Sequence, residues 1–472
     1  MTTFTWTEAR VREALDLPRE SEKPGTVERH FSGVSTDSRT VEPGALLVAL
    51  KGPRFDAHDF VAAALESGAT GAVVDRALPG VDPALLFQVP DTLKALGKLA
   101  SFRRRALPAR VVGITGSVGK TTTKELLRGA LEGALSVHVT AANLNNRVGV
   151  PLTLLSAPAH ADVVVVEMGT SEPGEMGVLS RIALPDLGVI TAVAESHIEG
   201  LGSLEGVFTE KLALMEGMPP QAPMVVGDTP PELAIRARAT GRPVSVAGWG
   251  SVADPHLRPL DVRPLAKGTL GFEWQGIRVN SSVPGRHGVS CALLALEVAR
   301  QMGVEPRVAA RGLAHVAPPP LRGEFQEVAG LTLILDCYNA GPESVREAAE
   351  ILAAQEGRTR VAFLGSMREL GHLEAPRHLE TLKAVLELGV ERVVATGAFA
   401  EAAAQLPAPT RSHPGLLVEA DPDAAYLALR PLLAGDEVVL LKASRGIRLE
   451  RLIPRFEDDF QRPAPTPAGE GR

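Results

Sequence analysis

Short continuous apolar runs alternate with helical segments along almost the whole chain. The runs lie at 46–50, 71–75, 111–115, 163–166, 189–193, 332–335, 361–364, 393–395 and 438–441. Such runs are typical of strands buried on both faces, and their alternation with helices predicts parallel, doubly wound sheets. The pattern therefore predicts an α/β fold.

Two proline-containing breaks, at 106–108 and 318–320, divide this pattern. A chain of 472 residues is too long for one compact core, and domains of usual size predict roughly three units. Boundaries at the breaks give an N-terminal α/β domain at 1–106, a central parallel-sheet domain at 107–317 and a C-terminal Rossmann-like domain at 318–462. The Pro- and Gly-rich residues 463–472 predict a disordered tail.

Composition places the chain among soluble globular proteins, with 45% apolar and 22% charged residues. The N-terminus has no charged segment followed by an apolar one, and no apolar run is long enough to cross a bilayer. We expect a cytoplasmic monomer that does not insert into membranes.

The net charge of −7 does not indicate a basic surface that would bind nucleic acid. The cluster Arg103, Arg104 and Arg105 is interpreted as a solvated helix end. Cys291 and Cys337 lie far apart without disulfide or metal-site spacing, so we expect them to be buried small residues. An anionic substrate would need local positive groups.

The most informative motif follows the run at 111–115. There the chain turns through Gly116, Ser117, Val118 and Gly119 into Lys120, Thr121 and Thr122. Glycines at this spacing let successive N–H groups face one anion at a helix start, which predicts a nucleotide phosphate loop. Lys120 would meet the β- and γ-phosphates, and the Thr121 hydroxyl a Mg2+ ion. The strict pattern has a glycine where this chain has Ile114, and a Gly-rich turn with a surface lysine is the alternative.

Glu167 ends the apolar run at 163–166 and so lies at the carboxyl edge of the same predicted sheet. That edge is where a second Mg2+ ligand belongs. A glutamate at a strand end could also cap a helix or face solvent. Its position beside Lys120 and Thr121 favours the metal role.

His197 follows the run at 189–193 and Lys211 lies on a helical stretch; spacing alone predicts a loop histidine and a solvated lysine. With Glu167 and the motifs at 113–122, 143–146 and 149–153, they resemble the Mur ligase family of ATP-dependent peptidoglycan precursor ligases. The resemblance implies that the loop binds ATP, that Glu167 and His197 hold Mg2+, two ions in all, and that Lys211 is carbamylated. A carbamate turns a cation into an anionic oxygen ligand. The implied metal set is Thr121, Glu167, His197 and Lys211.

The resemblance covers nearly the whole chain. Motifs at 35–39, 43–44 and 51–58 are similar to the domain that grips the uridine nucleotide end of the substrate, which implies contacts from Ser38 and Arg39. Motifs at 336–344, 364–371 with His378, and 442–445 are similar to one branch of the family. The other implied nucleotide contacts are His287, Arg322 and Asp336, and the other implied substrate contacts are Asn143, Asn145, Asn146, Tyr338 and Asn339. Without the resemblance, Arg322 before a glycine would be interpreted as an ordinary surface residue, and Asp336 at a strand end as a residue that caps a helix.

That branch adds D-alanyl-D-alanine to UDP-N-acetylmuramoyl-tripeptide, so the implied partners are these two substrates and ATP, and the implied role is cell-wall synthesis and thus cell shape and division. In the implied reaction the tripeptide carboxylate attacks the γ-phosphate, and the dipeptide amine then attacks the resulting acyl phosphate. Because the site is split over three domains, we expect turnover to require closure.

Three alternatives stand beside this interpretation. A P-loop GTPase or kinase would carry a base-specificity sequence or a full phosphate loop, and neither is found. A ligase of the same family that adds the third amino acid usually has a different recognition segment in place of 338–340. A catalytically inactive ligase-like nucleotide-binding protein is disfavoured by the intact Lys120, Glu167, His197 and Lys211.

The chain departs from the family pattern at a few positions. The family usually shows Asn-Pro where this chain has Gly341 and Pro342, an Asp where it has Ser366 and a Gly where it has Ala443. It commonly has His-Asn-x-x-Asn where this chain runs from His287 through Gly288 to Cys291, and an asparagine there is expected to contact adenine. The phosphate and metal residues are intact.

Overall fold

The computed structural model describes residues 4–18 and 28–460 and contains three α/β regions, each around its own parallel sheet. The predicted α/β class is therefore confirmed, and each predicted apolar run overlaps a strand. The predicted tail at 463–472 lies outside the described residues. No helix in the described part of the chain is long and apolar enough to cross a membrane.

The N-terminal region is the smallest. Its strands are β1 (Trp6–Thr7), β2 (His30–Phe31), β3 (Val34–Ser35), β4 (Leu46–Val48), β5 (Gly71–Val74) and β6 (Leu86–Gln88). Its helices are α1 (Glu8–Ala14), α2 (Val61–Glu66) and α3 (Thr92–Ala106). Strands β3, β4, β5 and β6 form a parallel sheet in that order, and β1 and β2 form an antiparallel pair. β4 and β5 are wholly buried, as continuous apolar strands should be.

The central region carries the predicted phosphate loop. Its strands are β7 (Arg110–Thr115), β8 (Val137–Val139), β9 (Val163–Glu167), β10 (Leu187–Ile190), β11 (Met224–Gly227), β12 (Val244–Ala247), β13 (Leu260–Pro264), β14 (Thr269–Trp274) and β15 (Ile277–Pro284). Its helices are α4 (Lys120–Glu132), α5 (Gly149–Leu155), α6 (Glu175–Ala183), α7 (Ile198–Leu201), α8 (Leu204–Leu212), α9 (Pro231–Arg238), α10 (Gly285–Gln301) and α11 (Pro306–Ala314).

Six of these strands form a parallel sheet in the order β12–β11–β10–β7–β9–β8. β7 lies between β10 and β9, with Ile114 opposite Glu167 and Thr115 opposite Ile190. The carboxyl ends of these three strands therefore meet at one edge, which is where ligands bind in open α/β sheets.

A three-stranded antiparallel sheet, β13–β14–β15, was not predicted. Its hairpin turn is Gln275-Gly276, with φ of 50° and 74°. Positive φ at both central residues is the geometry of a tight hairpin turn, which glycine favours. The sequence signal was present but weak, because glutamine seldom occupies the first of these positions.

The C-terminal region is a second doubly wound sheet. Its strands are β16 (Glu324–Val328), β17 (Leu331–Asp336), β18 (Arg360–Leu364), β19 (Arg392–Ala395), β20 (Leu416–Val418) and β21 (Val438–Lys442). Its helices are α12 (Pro342–Ala353), α13 (Glu374–Glu387), α14 (Ala398–Ala403), α15 (Ala408–Arg411), α16 (Pro422–Leu429) and α17 (Ile453–Phe460). The order is β16–β17–β21–β18–β19–β20, and only β16 is antiparallel to its neighbour among these strands. Asp336 and Lys442 lie opposite each other at adjacent strand ends.

Helix α3 contributes to two hydrophobic cores. Its Leu96 and Leu99 pack into the N-terminal core, whereas Ala100 belongs to the core of the central region. The partly buried Leu155 of α5 packs against both. The two regions are thus joined by a shared helix as well as by the chain.

The prediction that Arg103, Arg104 and Arg105 form a solvated helix end is wrong for the first two. Arg103 and Arg104 are buried, and only Arg105 is exposed. Arg103 donates to the carbonyl of Ala157 at 3.0 Å. Arg104 donates to the last carbonyls of α6 and, at 2.7 Å, to Asp186. Both donate to backbone carbonyls of the central region, which packs over them, and α3 alone does not reveal these partners.

Both cysteines are buried and unpaired, as expected.

Candidate active site

The segment between β7 and α4 has the shape of an anion-binding loop. Gly116 has φ of 143°, and a Cβ there would lie 2.1 Å from the Thr191 hydroxyl, so no other residue fits. Gly119 precedes α4 with φ of 86°. The Ser117 backbone N–H donates to Ala192 at 2.8 Å, which ties the loop to the chain after β10. The start of α4 then presents its free N–H groups and positive dipole end to the cavity.

Lys120 folds back over this loop. Its Nζ donates to the carbonyls of Gly116 at 2.6 Å and Ser117 at 3.3 Å. Burial of the amine, with the positive charge of Arg322 adding to it, lowers the pKa of Lys120 to about 8 against the opposing effect of Glu167. No carboxylate of the described residues pairs directly with this lysine, so an incoming phosphate would supply the missing counter-charge.

Glu167 lies at the centre of the site and is 2% exposed. Its Oε1 accepts hydrogen bonds from the Thr121 hydroxyl at 3.1 Å and from Asn145 Nδ2 at 2.9 Å. Within the described part of the chain, its Oε2 has no hydrogen-bond partner and its nearest cation is Lys124 Nζ at 3.9 Å. A buried, unsatisfied carboxylate oxygen is costly unless a ligand completes it. A carboxylate and a hydroxyl side by side are donors that suit Mg2+.

The asparagine-rich segment 143–146 folds over the same edge. Asn145 contacts Glu167 as described, and its carbonyl accepts from Gly169 N at 2.8 Å. Asn146 Oδ1 accepts from the backbone N–H groups of Val148 at 3.1 Å and Gly149 at 3.0 Å, so this side chain holds the start of α5. Asn143 lines the cavity with them.

Lys211 lies one layer behind the cavity, on α8. It is 1% exposed, and its Nζ donates to the hydroxyl of Thr170, a cavity-lining residue, at 2.8 Å. Burial, with the positive charge of Lys120 as a second cause, lowers the pKa of Lys211 to about 7. A large share of this amine is therefore neutral, and nucleophilic, near neutral pH.

His197 connects the central and C-terminal regions. It has φ of 54° and precedes α7, and its Nδ1 lies 2.6 Å from Glu369 Oε2. The close contact with His197 lowers the pKa of Glu369. Carboxylates commonly orient metal-binding histidines in this way.

The C-terminal region supplies the opposite wall. The guanidinium of Arg322 stacks over the Tyr338 ring at 4.0 Å. Lys442, 2% exposed, pairs with Asp336 at 2.8 Å and donates to the carbonyl of Asn339 at 2.7 Å. These contacts fix the segment after β17 against the end of β21.

His287, in the first turn of α10, packs against the phosphate loop. A Cβ on Gly119 would lie 2.8 Å from its Cε1, so the glycine allows this close approach. His287 Nε2 lies 3.4 Å from Cys291 Sγ. Nearby, Arg286 stacks over the Trp249 ring at 4.0 Å.

One cavity of about 2170 Å³ unites most of these residues. The predicted residues that line it are Ser117, Val118, Gly119, Lys120, Thr121, Thr122, Asn143, Asn145, Asn146, Glu167, His197, His287, Arg322, Asp336, Tyr338 and Asn339. Lys211 does not line the cavity but contacts Thr170, which does, and Gly116 belongs to the loop without lining the cavity. Ser38 and Arg39 are elsewhere: Arg39 is in an exposed turn of the N-terminal region, bound to Asp37 at 2.6 Å.

Sequence reasoning missed several groups at this cavity. Lys124 is one helical turn after Lys120 and lies beside Glu167, a spacing that could have revealed it. Glu369 belongs to the motif at 364–371, but no role was predicted for it. Trp249 belongs to no motif that would have pointed to the site. Among residues 4–18 and 28–460, no three His, Cys, Asp or Glu side chains converge as a ready-made metal cluster.

These features define a multidomain α/β protein in which an anion-binding loop faces a second domain across one cavity. Models of three Mur ligase domains match the chain in order: the family catalytic domain at 30–104, the middle domain at 114–299 and the glutamate ligase domain at 322–445. The chain belongs to the Mur ligase family.

Relatives match it over most of its length. The UDP-N-acetylmuramoyl-tripeptide--D-alanyl-D-alanine ligase of Bacillus subtilis is 35% identical over 89% of this chain and 92% of its own. The ligase of the same name from Escherichia coli is 33% identical over 91% and 94%. The crystal structure of MurF from Acinetobacter baumannii has a TM-score of 0.85 and 28% identity, covering 97% and 100%. That of MurF ligase from Thermotoga maritima in complex with ADP has a TM-score of 0.78 and 28% identity, covering 91% and 98%.

Proposed function

We propose that this protein is an ATP-dependent ligase that joins D-alanyl-D-alanine to UDP-N-acetylmuramoyl-tripeptide in peptidoglycan precursor synthesis. The observation that carries the proposal is the cavity in which the phosphate loop and Glu167 face Arg322 and Tyr338 across two domains. The names of its relatives, and the ADP bound by the Thermotoga maritima protein, support both the substrates and the nucleotide.

Amide formation needs a better leaving group than a carboxylate oxygen, and ATP supplies one. A carboxylate oxygen of the tripeptide attacks the γ-phosphorus, the bond from that phosphorus to the β–γ bridging oxygen breaks, and an acyl phosphate and ADP form. The dipeptide amine then attacks the acyl carbon, the bond to phosphate breaks and the amine proton leaves to phosphate or water. Lys120 and the loop N–H groups position and neutralise the phosphates, since two anions otherwise repel.

The donors around Glu167 fit a Mg2+ ion, because Glu167 Oε2 is buried, no described residue hydrogen-bonds to it, and the Thr121 hydroxyl lies beside the same carboxylate. We propose Thr121, Glu167, His197 and carbamylated Lys211 as the ligand set for two ions. When bound, Mg2+ supplies further neutralisation of the triphosphate.

Carbamylation of Lys211 is supported by its environment. CO2 reacts only with a neutral amine: the Nζ lone pair forms the N–C bond, one C–O π bond opens to give the carboxylate oxygen, and an amine proton passes to water. A pKa of about 7 makes that form abundant near neutral pH. Conversion to an anion would also replace the repulsion between Lys211 and Lys120 by attraction.

The remaining contacts follow the cavity. We propose the loop 116–122, His287, Arg322 and Asp336 as nucleotide contacts, and Asn143, Asn145, Asn146, Tyr338 and Asn339 as substrate contacts. Ser38 and Arg39 lie outside the cavity, so they would meet the far, uridine end of a long substrate.

The domain boundaries at 106/107 and 317/318, a cytoplasmic location and a monomeric state are part of the same proposal. The proposed substrates, ATP and a UDP-linked precursor, are nucleotides, and nucleotides are found in the cytoplasm, which supports that location. The family matches at 30–104, 114–299 and 322–445 support the boundaries, since each ends or begins near one of them. Light scattering of the purified protein tests the monomer.

The deciding experiment measures phosphate release from ATP and Mg2+ by the purified protein. We expect release only when UDP-N-acetylmuramoyl-tripeptide and D-alanyl-D-alanine are both present. Equal or better activity with a free diamino acid and the dipeptide nucleotide would assign the protein to the step that adds the third residue. No activity with any donor would leave an inactive nucleotide-binding relative.

A further inference from the structure

A strip of contacts joins the central and C-terminal domains beside His197. Segment 195–199 of the central domain lies against segment 369–377 of the C-terminal domain: Glu199 N donates to the Glu369 carbonyl at 3.3 Å, and Leu373 packs on the central core. A Cβ on Gly371 would lie 3.3 Å from Glu199 Cα. The covalent connection between the domains is at 317–321, far away in sequence, so it does not enforce this contact.

The strongest polar contact in the strip is a bidentate ion pair. Arg377 donates to Glu195 Oε2 at 2.6 Å and to Oε1 at 2.7 Å. The Glu195 side chain is 18% exposed and Arg377 is 32% exposed, so the pair is partly shielded from solvent. Arg377 lies in the first turn of α13, where the helix dipole disfavours a cation, and Glu195 together with Glu380 raises its pKa. The ion pair therefore compensates for the unfavourable interaction between the Arg377 cation and the positive end of the α13 dipole.

We propose that the Glu195–Arg377 ion pair is a closure latch. It holds the C-terminal domain against segment 195–199 before substrates bind, and so keeps His197 and Glu369 together at the cavity. Both residues are positioning residues, and the kinetic consequence rests on the proposed ligase function. Bidentate, charge-assisted pairs are the ones that contribute measurably when partly buried.

The latch sets how much of the free protein is ready to bind nucleotide between the two domains. If closed and open forms are about equally populated, weakening the closed form about tenfold leaves roughly one molecule in ten closed and raises the apparent KM about fivefold. Saturating substrates bridge the domains themselves, so kcat should change by less than about twofold.

The test variant is Glu195→Gln, which keeps the size of the side chain, and Arg377 retains Glu380 at 2.5 Å as a partner. The matched control is Glu205→Gln, which breaks another bidentate pair, with Arg236 at 2.7 Å, inside the central domain. The rescue variant combines Glu195→Arg with Arg377→Glu. Small-angle X-ray scattering of the ligand-free proteins reports closure, and the KM for ATP reports its kinetic effect.

We expect Glu195→Gln to enlarge the radius of gyration and raise the KM about fivefold with little change in kcat, the rescue variant to reverse most of both changes, and Glu205→Gln to show neither. A Glu195→Gln protein that matches Glu205→Gln in scattering overturns the latch, as does a rescue variant no better than the single change. If scattering shows the expansion but wild-type protein has no ligase activity with any donor, the latch stands and the proposed function fails.

Discussion

Replacing the buried Lys211 by methionine should make the stability of the central domain less dependent on pH. The pKa of Lys211 is lowered from 10.5 to about 7, first by burial and then by Lys120. The unfolded chain therefore binds this proton more tightly than the folded one. Folding is penalised most at and below about pH 7, and the penalty shrinks as the pH rises towards 10.5. Methionine fills similar space and binds no proton.

The magnitude follows from linkage. Between pH 7 and pH 9 the penalty carried by Lys211 falls by about 2 kcal/mol, since each pH unit in which only the unfolded lysine is protonated changes it by about 1.4 kcal/mol. Wild-type protein should gain that much relative to Lys211→Met over this range. The comparison uses the change with pH, so a constant cost from the lost Thr170 contact cancels.

The assay is urea unfolding in CO2-free buffers at pH 7, 8 and 9, followed by tryptophan fluorescence. Two of the three tryptophans, Trp249 and Trp274, lie in the central domain. Lys94→Met is the matched control, because its side chain is 73% exposed. A difference between wild type and Lys211→Met that stays constant with pH would refute the argument that burial keeps this lysine largely neutral. Adding ¹³C-bicarbonate to wild type should then give a carbamate NMR signal that Lys211→Met lacks.

Three further outcomes follow from the site and the fold. Lys120→Ala should abolish ATP turnover with an unchanged circular dichroism spectrum, and retained turnover would refute the phosphate-loop assignment. Glu167→Gln should raise the Mg2+ concentration needed for half-maximal nucleotide binding at least about tenfold, measured by calorimetry; an unchanged requirement would remove Glu167 from the metal set. Arg104→Ala should lower stability by about 2 kcal/mol, because it strands buried helix-end carbonyls and Asp186, whereas Arg105→Ala should not; equal melting temperatures would contradict this.

Many strands of the parallel sheets could be predicted from sequence because burial on both faces leaves a continuous apolar run, as in 163–166 before Glu167. Others, such as β11, were not predicted although they are wholly buried. The phosphate loop was also visible, because glycine adopts the positive φ of Gly116 and Gly119 more readily than any other residue. Both signals are local, because each can be recognised from a few consecutive residues without knowing what packs against them.

What could not be predicted depends on partners distant in sequence. The strands of the antiparallel sheet at 260–284 mix buried, half-buried and exposed positions, so no continuous apolar run predicts them. Arg103 and Arg104 look like any basic helix end until the carbonyls of another domain surround them. The approach of Glu369 to His197 joins residues 172 positions apart in numbering, 197 to 369. Such contacts are set by how the domains pack, which no local pattern encodes.

The sharing of α3 between two cores has a practical consequence for dissecting this molecule. A fragment ending at Ala106 would expose the apolar α3 surface around Ala100 to water and would lack the carbonyls to which Arg103 and Arg104 donate. A fragment starting after it would lose the donors for the last carbonyls of α6. We therefore expect the N-terminal sheet to be stable only together with the central sheet, and the two to melt as a single cooperative unit.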